Sequence, residues 1–528
     1  MFYNAVYMMF SFRERQNTMR SDSKTGRGRK PVPGSLSGRE KKERQRQQYL
    51  RFERKLFLVS AAVLAAALLA GGFFSLCSSS FFYTRAAAVT AGSHKITPVL
   101  YDYFYEDTYN SFCSTYGDYL SYLFDASKPL DKQLYDEDTK TTWADHFREL
   151  TLQAIRQTYA LYDEANAHGF RISADTQKQI DDAVYYIGLY ANYYKFDSSD
   201  DYLVSRYGKG ASTDSYHAYA VVTKTADAYG EQYKSSLTFA DSELEQYYAE
   251  NRKLFDTVDY RCFPVSVKAG GAVDPAASRT LAQSIADESA GDEDRFCALV
   301  LENADDPDYY TEADRTIRND FSYSNAPESL ADWLFDADRR PGDTTVADNG
   351  DNGCFVAFWL SRNTHDYQMV DVRAIPVAVS DFSNGTAVRL AKKSAQQLLD
   401  AYRAGDRTED AFAALAAQNG AADGGLKENV YRGQLDDALD SWCYDSARRP
   451  GDTALLQGSD GFYVLYFVGP GDNCRLDTVR EALQQNAYQD WYDTLAAASS
   501  FRTHWFGMKF AASQPIKTGF SAASSSAS

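Results

Sequence analysis

A fourteen-residue phrase occurs twice in this chain and constrains its fold more than any other feature. Residues 331–344 read ADWLFDADRRPGDT and residues 440–453 read DSWCYDSARRPGDT. They are identical at eight positions: the Trp, one Asp and the whole Arg-Arg-Pro-Gly-Asp-Thr run. Each copy is followed by a glycine-containing turn and an apolar run, 353–360 (GCFVAFWL) and 461–468 (GFYVLYFV). Each is preceded by a similar strand-like segment, 258–267 (VDYRCFPVSV) and 370–379 (VDVRAIPVAV). Self-similarity at a fixed spacing declares one structural unit built twice. The spacing is that of a domain rather than a solenoid repeat, so the chain holds a tandem pair.

At 528 residues the chain exceeds what one hydrophobic core supports, and three or four domains are expected. Its charge is sharply divided. Residues 1–55 carry 15 Lys/Arg against 5 Asp/Glu, a net of +10, while the remainder carries 40 against 68, a net of −28. An acidic body excludes nucleic acid as its partner, because phosphate binding calls for clustered Lys and Arg. The basic tail is explained by the apolar segment next to it. Residues 56–76 (LFLVSAAVLAAALLAGGFFSL) hold no charge over 21 positions, the length of a membrane-spanning helix. With the basic residues concentrated before it, the positive-inside rule leaves residues 1–55 in the cytoplasm and the body outside. An n-region of some 55 residues is too long for a cleaved signal peptide. Phe74-Ser75-Leu76 lacks the small residue wanted before a lipidated Cys77, so the reading is a permanent single-pass anchor.

Residues 1–55, polar and punctuated by Gly and Pro, are expected to be disordered, as is the Ala/Ser-rich end 509–528. Ser78–Ser80 and Ala86–Ala91 read as a tether. From there to residue 256 the periodicity is helical. Phe104, Thr108, Phe112, Tyr116 and Leu120 fall on one helix face; Phe147, Leu150, Ala154 and Leu161 mark a second helix. Ser173 reads as the N-cap of a helix over 174–194, and Thr238 with Asp241 as a capping box before 244–255. Aromatic stripes of this kind read first as core, with some Tyr and Phe left for an open groove. Each repeat then reads strand, helix, extended segment, Trp-led helix, Arg-Arg-Pro-Gly-Asp-Thr turn and closing strand. In the second copy helices are expected over 387–402 and 409–418. Residues 476–501 are amphipathic, with Val479, Leu483, Tyr488, Trp491, Tyr492 and Leu495 available for packing.

Seven scattered cysteines with no CxxC pair exclude the common zinc and thioredoxin spacings and read as free, mostly buried thiols. The six histidines, His94, His146, His168, His217, His365 and His504, form no metal motif, and no phosphate loop or nucleophile elbow is present. No metal and no cofactor is expected. The acidic runs Asp305-Asp306-Pro307-Asp308 and Asp348-Asn349-Gly350-Asp351 lack the spacing of a calcium loop and read as solvated turns. Arg339-Arg340 and Arg448-Arg449 read as exposed turn residues, with pairing to peptide carboxylates as the alternative.

In its order of parts the chain resembles the parvulin-domain extracytoplasmic foldases and chaperones of the SurA and PrsA type. The likeness spans roughly residues 86–500. In the second copy, Val372-Arg373-Ala374-Ile375-Pro376-Val377 resembles the family's opening Arg-His-Ile-Leu-Val strand, and 412–416 (FAALA) its helix motif. Gly424-Gly425-Leu426 with Arg432-Gly433-Gln434-Leu435 resembles its Gly-Gly-x-Leu-Gly…Arg-Gly-Gln-Met segment, and 461–465 its closing Gly-Tyr-His-Ile-Ile strand. The resemblance implies an α+β multidomain fold: a cytoplasmic tail (1–55), a transmembrane helix (56–76) and an all-α SurA-N-like domain (86–256). Two parvulin-like modules (257–365 and 368–470) come next, then a C-terminal helix (475–508) that in the family packs back on the helical domain.

The departures bear on chemistry. Active family modules carry histidines facing each other on the first and last strands. Those positions are Cys262 and Phe355 in the first module, Ala374 and Tyr463 in the second. Asp423 is the nearest candidate for the acidic residue before the Gly-Gly step. The proline-pocket or peptide-binding candidates are Leu435, Leu439, Tyr444 and Tyr463. Proline isomerisation twists an amide across a barrier of about 18–20 kcal/mol without breaking a bond. A pocket without its polar network therefore suits binding better than turnover. The expectation is a membrane-anchored chaperone of unfolded or newly exported polypeptides. The alternatives are a prolyl isomerase with residual activity in the second module, and a non-catalytic envelope scaffold.

Overall fold

The first described element is a helix rich in Lys, Arg, Glu and Gln. The computed structural model describes residues 38–304, 309–310 and 312–515. The disorder expected of 1–37 and 516–528, and the acidic run 305–308, lie outside the described residues. α1 (Gly38–Ser78) is one uninterrupted helix of 41 residues, roughly 60 Å long. The disorder expected over 38–55 is thus corrected. Lys, Arg, Glu and Gln are strong helix formers, and extending a helix already nucleated adds a hydrogen bond per residue fixed. Among the described residues α1 is the one helix long and apolar enough to cross a membrane, and none of its apolar window is buried by the rest of the chain.

The tether expected after it is structured. α2 (Phe81–Arg85) leads into the buried strand β1 (Val89–Ala91), which turns through Gly92-Ser93 into β2 (His94–Ile96). Gly92 sits at φ 55, the conformation a two-residue hairpin loop demands at its first position. β1 also pairs with residues 501–503, so the domain expected to be all-α contains a small sheet.

The helical unit comes next: α3 (Pro98–Tyr116), α4 (Trp143–Ala167), α5 (Ala174–Tyr193), α6 (Ser199–Tyr207), α7 (Thr213–Ser236) and α8 (Asp241–Glu250). Local chemistry sets most starts. Thr142 and Asp145 form a capping box on α4, and Ser173 caps α5 as expected. At α8 the expected Thr238–Asp241 box is corrected: Glu243 reaches back to the Ala240 N–H at 2.7 Å. Phe104, Phe147, Ile155 and Tyr159 pack with Trp143 and Phe124 in the main core of this unit. Asp102 is buried beside it and accepts the Ala512 N–H at 2.7 Å; burial drives its carboxyl well above the ordinary range.

The two repeats are α+β units of identical topology. The first comprises β3 (Thr257–Val265), α9 (Pro275–Ser289), α10 (Glu293–Glu302), β4 (Ile317–Ser322), α11 (Glu328–Leu334), β5 (Thr344–Asp348) and β6 (Cys354–Asn363). The second comprises β7 (Gln368–Ala378), α12 (Gly385–Ala404), α13 (Glu409–Gln418), β8 (Leu426–Val430), α14 (Asp437–Cys443), β9 (Thr453–Gln457) and β10 (Gly461–Asn473). The sheets run β4-β3-β6-β5 and β8-β7-β10-β9, antiparallel throughout. Strand alternation divides each core in two. Phe263, Val265, Val356 and Phe358, like Ile375, Val464 and Tyr466, face the helix pair. Cys262 and Ala357, like Ala374 and Leu465, face the short helix α11 or α14, which is not led by its Trp as expected but carries it in the last turn.

The repeated phrase builds the same clip twice. Arg340-Pro341-Gly342-Asp343 and Arg449-Pro450-Gly451-Asp452 are type II turns, closed by Asp N–H to Arg carbonyl bonds at 3.0 Å, with the glycines at φ 93 and 95. Each glycine N–H then bonds the closing strand, at Trp359 (3.0 Å) and Phe467 (2.9 Å). Arg339 lies 5.1 Å over Trp333 and pairs with Asp343; Arg448 lies 4.7 Å over Trp442 and pairs with Asp452. The first arginine of each pair is therefore an internal strut, not a free turn residue. The turn feeds β5 and β9, edge strands beyond the elements expected for each repeat, and these then hairpin into the closing strands.

The shared Val-Asp-x-Arg of the opening strands also has a structural account. Arg261 bonds Glu293 (2.7 Å) and the Ala313 carbonyl (2.9 Å). Arg373 bonds Glu409 (2.9 Å) and the carbonyls of Asp423 (3.0 Å) and Gly424 (3.1 Å). Asp259 and Asp371 hold the N–H groups of Asp320 and Asn429, each at 2.8 Å. Those two residues adopt φ 49 and 51, a left-handed conformation that Asp and Asn tolerate best after glycine.

α15 (Cys474–Ala498) returns to the helical unit and packs on α4, α7 and α8. Trp491 stacks on Tyr233 at 3.8 Å, and Val479 and Leu483 join Leu244 and Tyr248. β11 (Phe501–Thr503) completes the sheet with β1, and α16 (Trp505–Met508) lies just beyond it. Residues 509–515, expected to be disordered, are held: Gln514 accepts the Leu130 N–H at 2.8 Å, and Ala511 and Ala512 pack on the main helical core.

The two clip glycines should differ in their tolerance of a side chain. Gly451→Ala should cost about 1–2 kcal/mol from the positive φ alone, since a Cβ there meets only the Tyr466 hydroxyl at 4.0 Å. Gly342→Ala should cost more, because its Cβ would lie 2.8 Å from the Gly291 carbonyl. Hydrogen exchange at β5–β6 and β9–β10 in the full chain reads the difference, and equal effects would refute it. Asp102 has a raised folded pKa, so the stability associated with its protonated form is lost as pH rises through that value. Asp102→Asn should therefore hold its melting temperature better than the unaltered chain does as pH rises above the ordinary carboxylate range; parallel pH profiles would sink this.

Candidate functional site

The family-derived site positions converge in both units, though they do not leave an open pocket. In the second unit Ala374 pairs with Leu465, and Tyr463, two residues earlier on β10, pairs with Pro376. Residues two apart share a strand face, so Ala374 and Tyr463 are diagonal neighbours on the first and last strands. α14 lies over them, and Leu435, Leu439 and Tyr444 belong to the same cluster. Leu439, Leu465 and Ala374 are buried there. Tyr444 is used structurally: its hydroxyl donates to the Val430 carbonyl at 2.6 Å and Arg432 lies 4.2 Å over its ring. Of the four candidates only Leu439 is fully buried; Leu435, Tyr444 and Tyr463 are half-buried.

An open cleft of about 580 Å³ lies beside them, between the start of α14 and the β9–β10 turn, lined by Gln434, Leu435, Asp436, Asp437 and Ser459. Asp436 holds the Ser459 N–H at 2.8 Å, fixing one wall to the other. Tyr463 donates to Asp460 at 2.8 Å; burial, then this carboxylate, pushes its phenol up to about 12, so it stays a neutral hydroxyl at physiological pH. The cleft is acidic and polar, suited to a peptide backbone or a basic side chain rather than to a desolvated proline. Asp423 is exposed and is engaged through its carbonyl by Arg373, on the helix-pair side of the sheet from Ala374. The Gly-Gly step it precedes is steric: a Cβ on Gly425 would lie 2.3 Å from the Ala374 carbonyl.

In the first unit Cys262 pairs with Ala357 and Phe355 with Pro264, again diagonal on one face, under Leu330 and Leu334 of α11. Cys262 is buried, and desolvation pushes its thiol up to about 12. A neutral, enclosed thiol is neither nucleophile nor acid–base group.

The helical unit presents the larger surface. α5 buries Ile180, Ile187 and Ala191 and leaves Tyr185, Tyr186, Leu189, Tyr190 and Tyr193 exposed. Gln179 and Ala183 border a crevice of about 340 Å³ between α3, α4, α5 and α7, floored by Phe104, Ile180 and Tyr219, with Asp107, Lys224 and Asp227 around it. Stepping along α5 by three or four residues, that face continues from Ala183 to Tyr186 and Tyr190. Asp107 and Asp227 sit exposed at the crevice rim; partial desolvation there raises their carboxyls, with Lys224 opposing the shift in both. The signal was present in the sequence as the doubled tyrosines of 185–194 (YYIGLYANYY). The opposite face of α5, with Ile180, Ile187 and Ala191, supplies the core residues, which leaves these tyrosines as part of the open surface expected for some Tyr and Phe.

The histidines are dispersed. His94 meets Asp163 at 2.6 Å, His504 meets Thr90 at 2.7 Å, His365 meets Thr257 at 3.0 Å, and His146 stacks on Tyr135. Among the described residues no group of three His, Cys, Asp or Glu is placed to hold a metal ion. Residues 348–351 form part of the β5–β6 turn. All seven cysteines are free; Cys262, Cys354 and Cys443 are buried and the other four only half-buried, fewer buried thiols than expected.

Maleimide at pH 7.5 should leave Cys262, Cys354 and Cys443 unmodified in the native chain and label them on unfolding. Modification of Cys262 at the rate of a free thiol, read by mass spectrometry, would overturn its enclosure. No protein-family model matches this chain, and no curated protein matches it.

Proposed function

We propose that this chain is a membrane-anchored, foldase-like chaperone that binds unfolded or newly exported polypeptides outside the cytoplasm. The observation that carries the reading is the exposed tyrosine face of α5, continuous with the crevice floored by Phe104 and Tyr219. Exposed apolar patches of this kind mark interaction sites. Tyrosine suits varied clients, offering a large rigid ring and a hydroxyl at low entropic cost. The strongly acidic composition beyond residue 55 keeps such complexes soluble. α1 supports the anchor, and the basic residues before its apolar stretch favour a cytoplasmic N-terminus.

The two α+β units are read as degenerate parvulin-like modules, supported by the adjacency of the first and last strands and the diagonal placing of Ala374 and Tyr463. That placing also favours a second reading, residual prolyl isomerase activity in the second unit.

The full chain in detergent or lipid should suppress aggregation of a reduced, unfolding client at near-stoichiometric ratios. Replacing Tyr186, Tyr190 and Tyr193 by Ser should reduce that suppression several-fold while leaving the melting temperature unchanged, since these rings are exposed. No suppression by the unaltered chain would sink the chaperone reading and favour a dedicated scaffold. Proline isomerisation at the rate of an active parvulin, abolished by Tyr463→Ala, would make catalysis the better account.

A further inference from the structure

The C-terminal end of the body lies against the end of the membrane helix. α16 comes directly after β11, and its Gly507 sits so close to the Ala87 carbonyl that a Cβ there would collide with it. This contact seats an aromatic cluster at the last turns of α1. Phe73 of α1 lies 5.9 Å from Phe82, and Phe82 lies 5.2 Å from both Phe506 and Phe510. Lys209, between α6 and α7, donates to the carbonyl of Ser78, the last residue of α1, at 3.2 Å. Beyond the cluster Trp505 is 73% exposed, and the other five tryptophans are buried or half-buried. The Lys509 ammonium lies 3.8 Å over its ring.

We propose that this face, formed by Trp505, Phe506 and Phe81 with Lys509, Lys209 and Arg85, lies in the interfacial layer of the lipid bilayer. The helical unit then sits on the membrane surface instead of standing off on a free stem. The inference rests on α1 being a membrane span. Given that, the level of the face is fixed by contact: groups touching residues 73 and 78 of the helix lie where it leaves the hydrocarbon. The chemistry matches that level. Tryptophan is enriched at the interface because its ring is apolar and its N–H polar, and Lys and Arg extend their charges towards lipid phosphates. A second copy of the chain or a protein partner would not need the cluster at this depth.

The test uses the full chain in nanodiscs of phosphatidylcholine, with and without lipids brominated near the headgroup end of the acyl chain. Bromolipid should quench a fraction of the emission on the order of one tryptophan in six, and Trp505→Phe should abolish that quenching. Co-elution with lipid but no quenching, or quenching unchanged in Trp505→Phe, overturns the proposal alone. Failure to co-elute with lipid overturns the membrane span and this proposal together.

Discussion

Three residues near the start of the body, Val89–Ala91, pair with three near its end, Phe501–Thr503, and the rest of the architecture depends on that pairing. It makes the helical unit discontinuous in sequence, with both α+β units inserted between α8 and α15. Loop-closure entropy grows only as the logarithm of loop length, so spanning some four hundred residues costs little more than spanning a hundred. Burial at the joint offsets it: Ala88, Val89 and Ala91 are fully enclosed, and α15 adds the Trp491–Tyr233 stack. The exit and re-entry points are held together by Arg475, which pairs with Glu245 and with Asp366 while lying 4.6 Å over Tyr248. The same pairing delivers Trp505 and Phe506 to the end of α1.

The duplicated units show what a repeat preserves. The arginine struts, the type II turns and the aspartates holding left-handed residues recur position for position. None of them faces the strand positions that the proposed parvulin-like reading would give to histidines. Those positions hold Cys262 and Phe355 in one unit, Ala374 and Tyr463 in the other, packed into apolar clusters. Duplication kept the backbone geometry, which many contacts over-determine, while the interior face was filled with side chains that pack. The proposed polypeptide binding is therefore assigned to the exposed tyrosine face of α5, away from these apolar clusters.

Much of the fold was legible because its signals are local. The Ser173 cap and the helix over 409–418 depend on residues within a few turns of one another, and the tandem pair shows as two matching local phrases. The errors share a different cause. Residues 344–348 and 453–457 are strands only because β6 and β10 offer them an edge. Residues 89–91 are a strand only because residues 501–503 arrive beside them. The family resemblance implied that Leu439 and Tyr444 are pocket residues, yet Leu439 is buried core and Tyr444 is a strut bonded to the Val430 carbonyl. The tyrosines of α5 were visible as a pattern, but exposure is a property of what packs on the other side.

By itself the sequence determined that a domain-sized unit is built twice, that an uncharged stretch of membrane-spanning length lies between a basic segment and an acidic body, and that both units lack histidine on their opening and closing strands. Composition and spacing settle these points, because they act through short-range backbone and solvation preferences. Only the tertiary structure decided that the first arginine of each repeated pair is a strut, that Ala374 and Leu439 are core, and that the C-terminal aromatics meet the end of α1. Each of those depends on contacts between residues far apart in the chain, whose energies exist only once the chain has closed on itself.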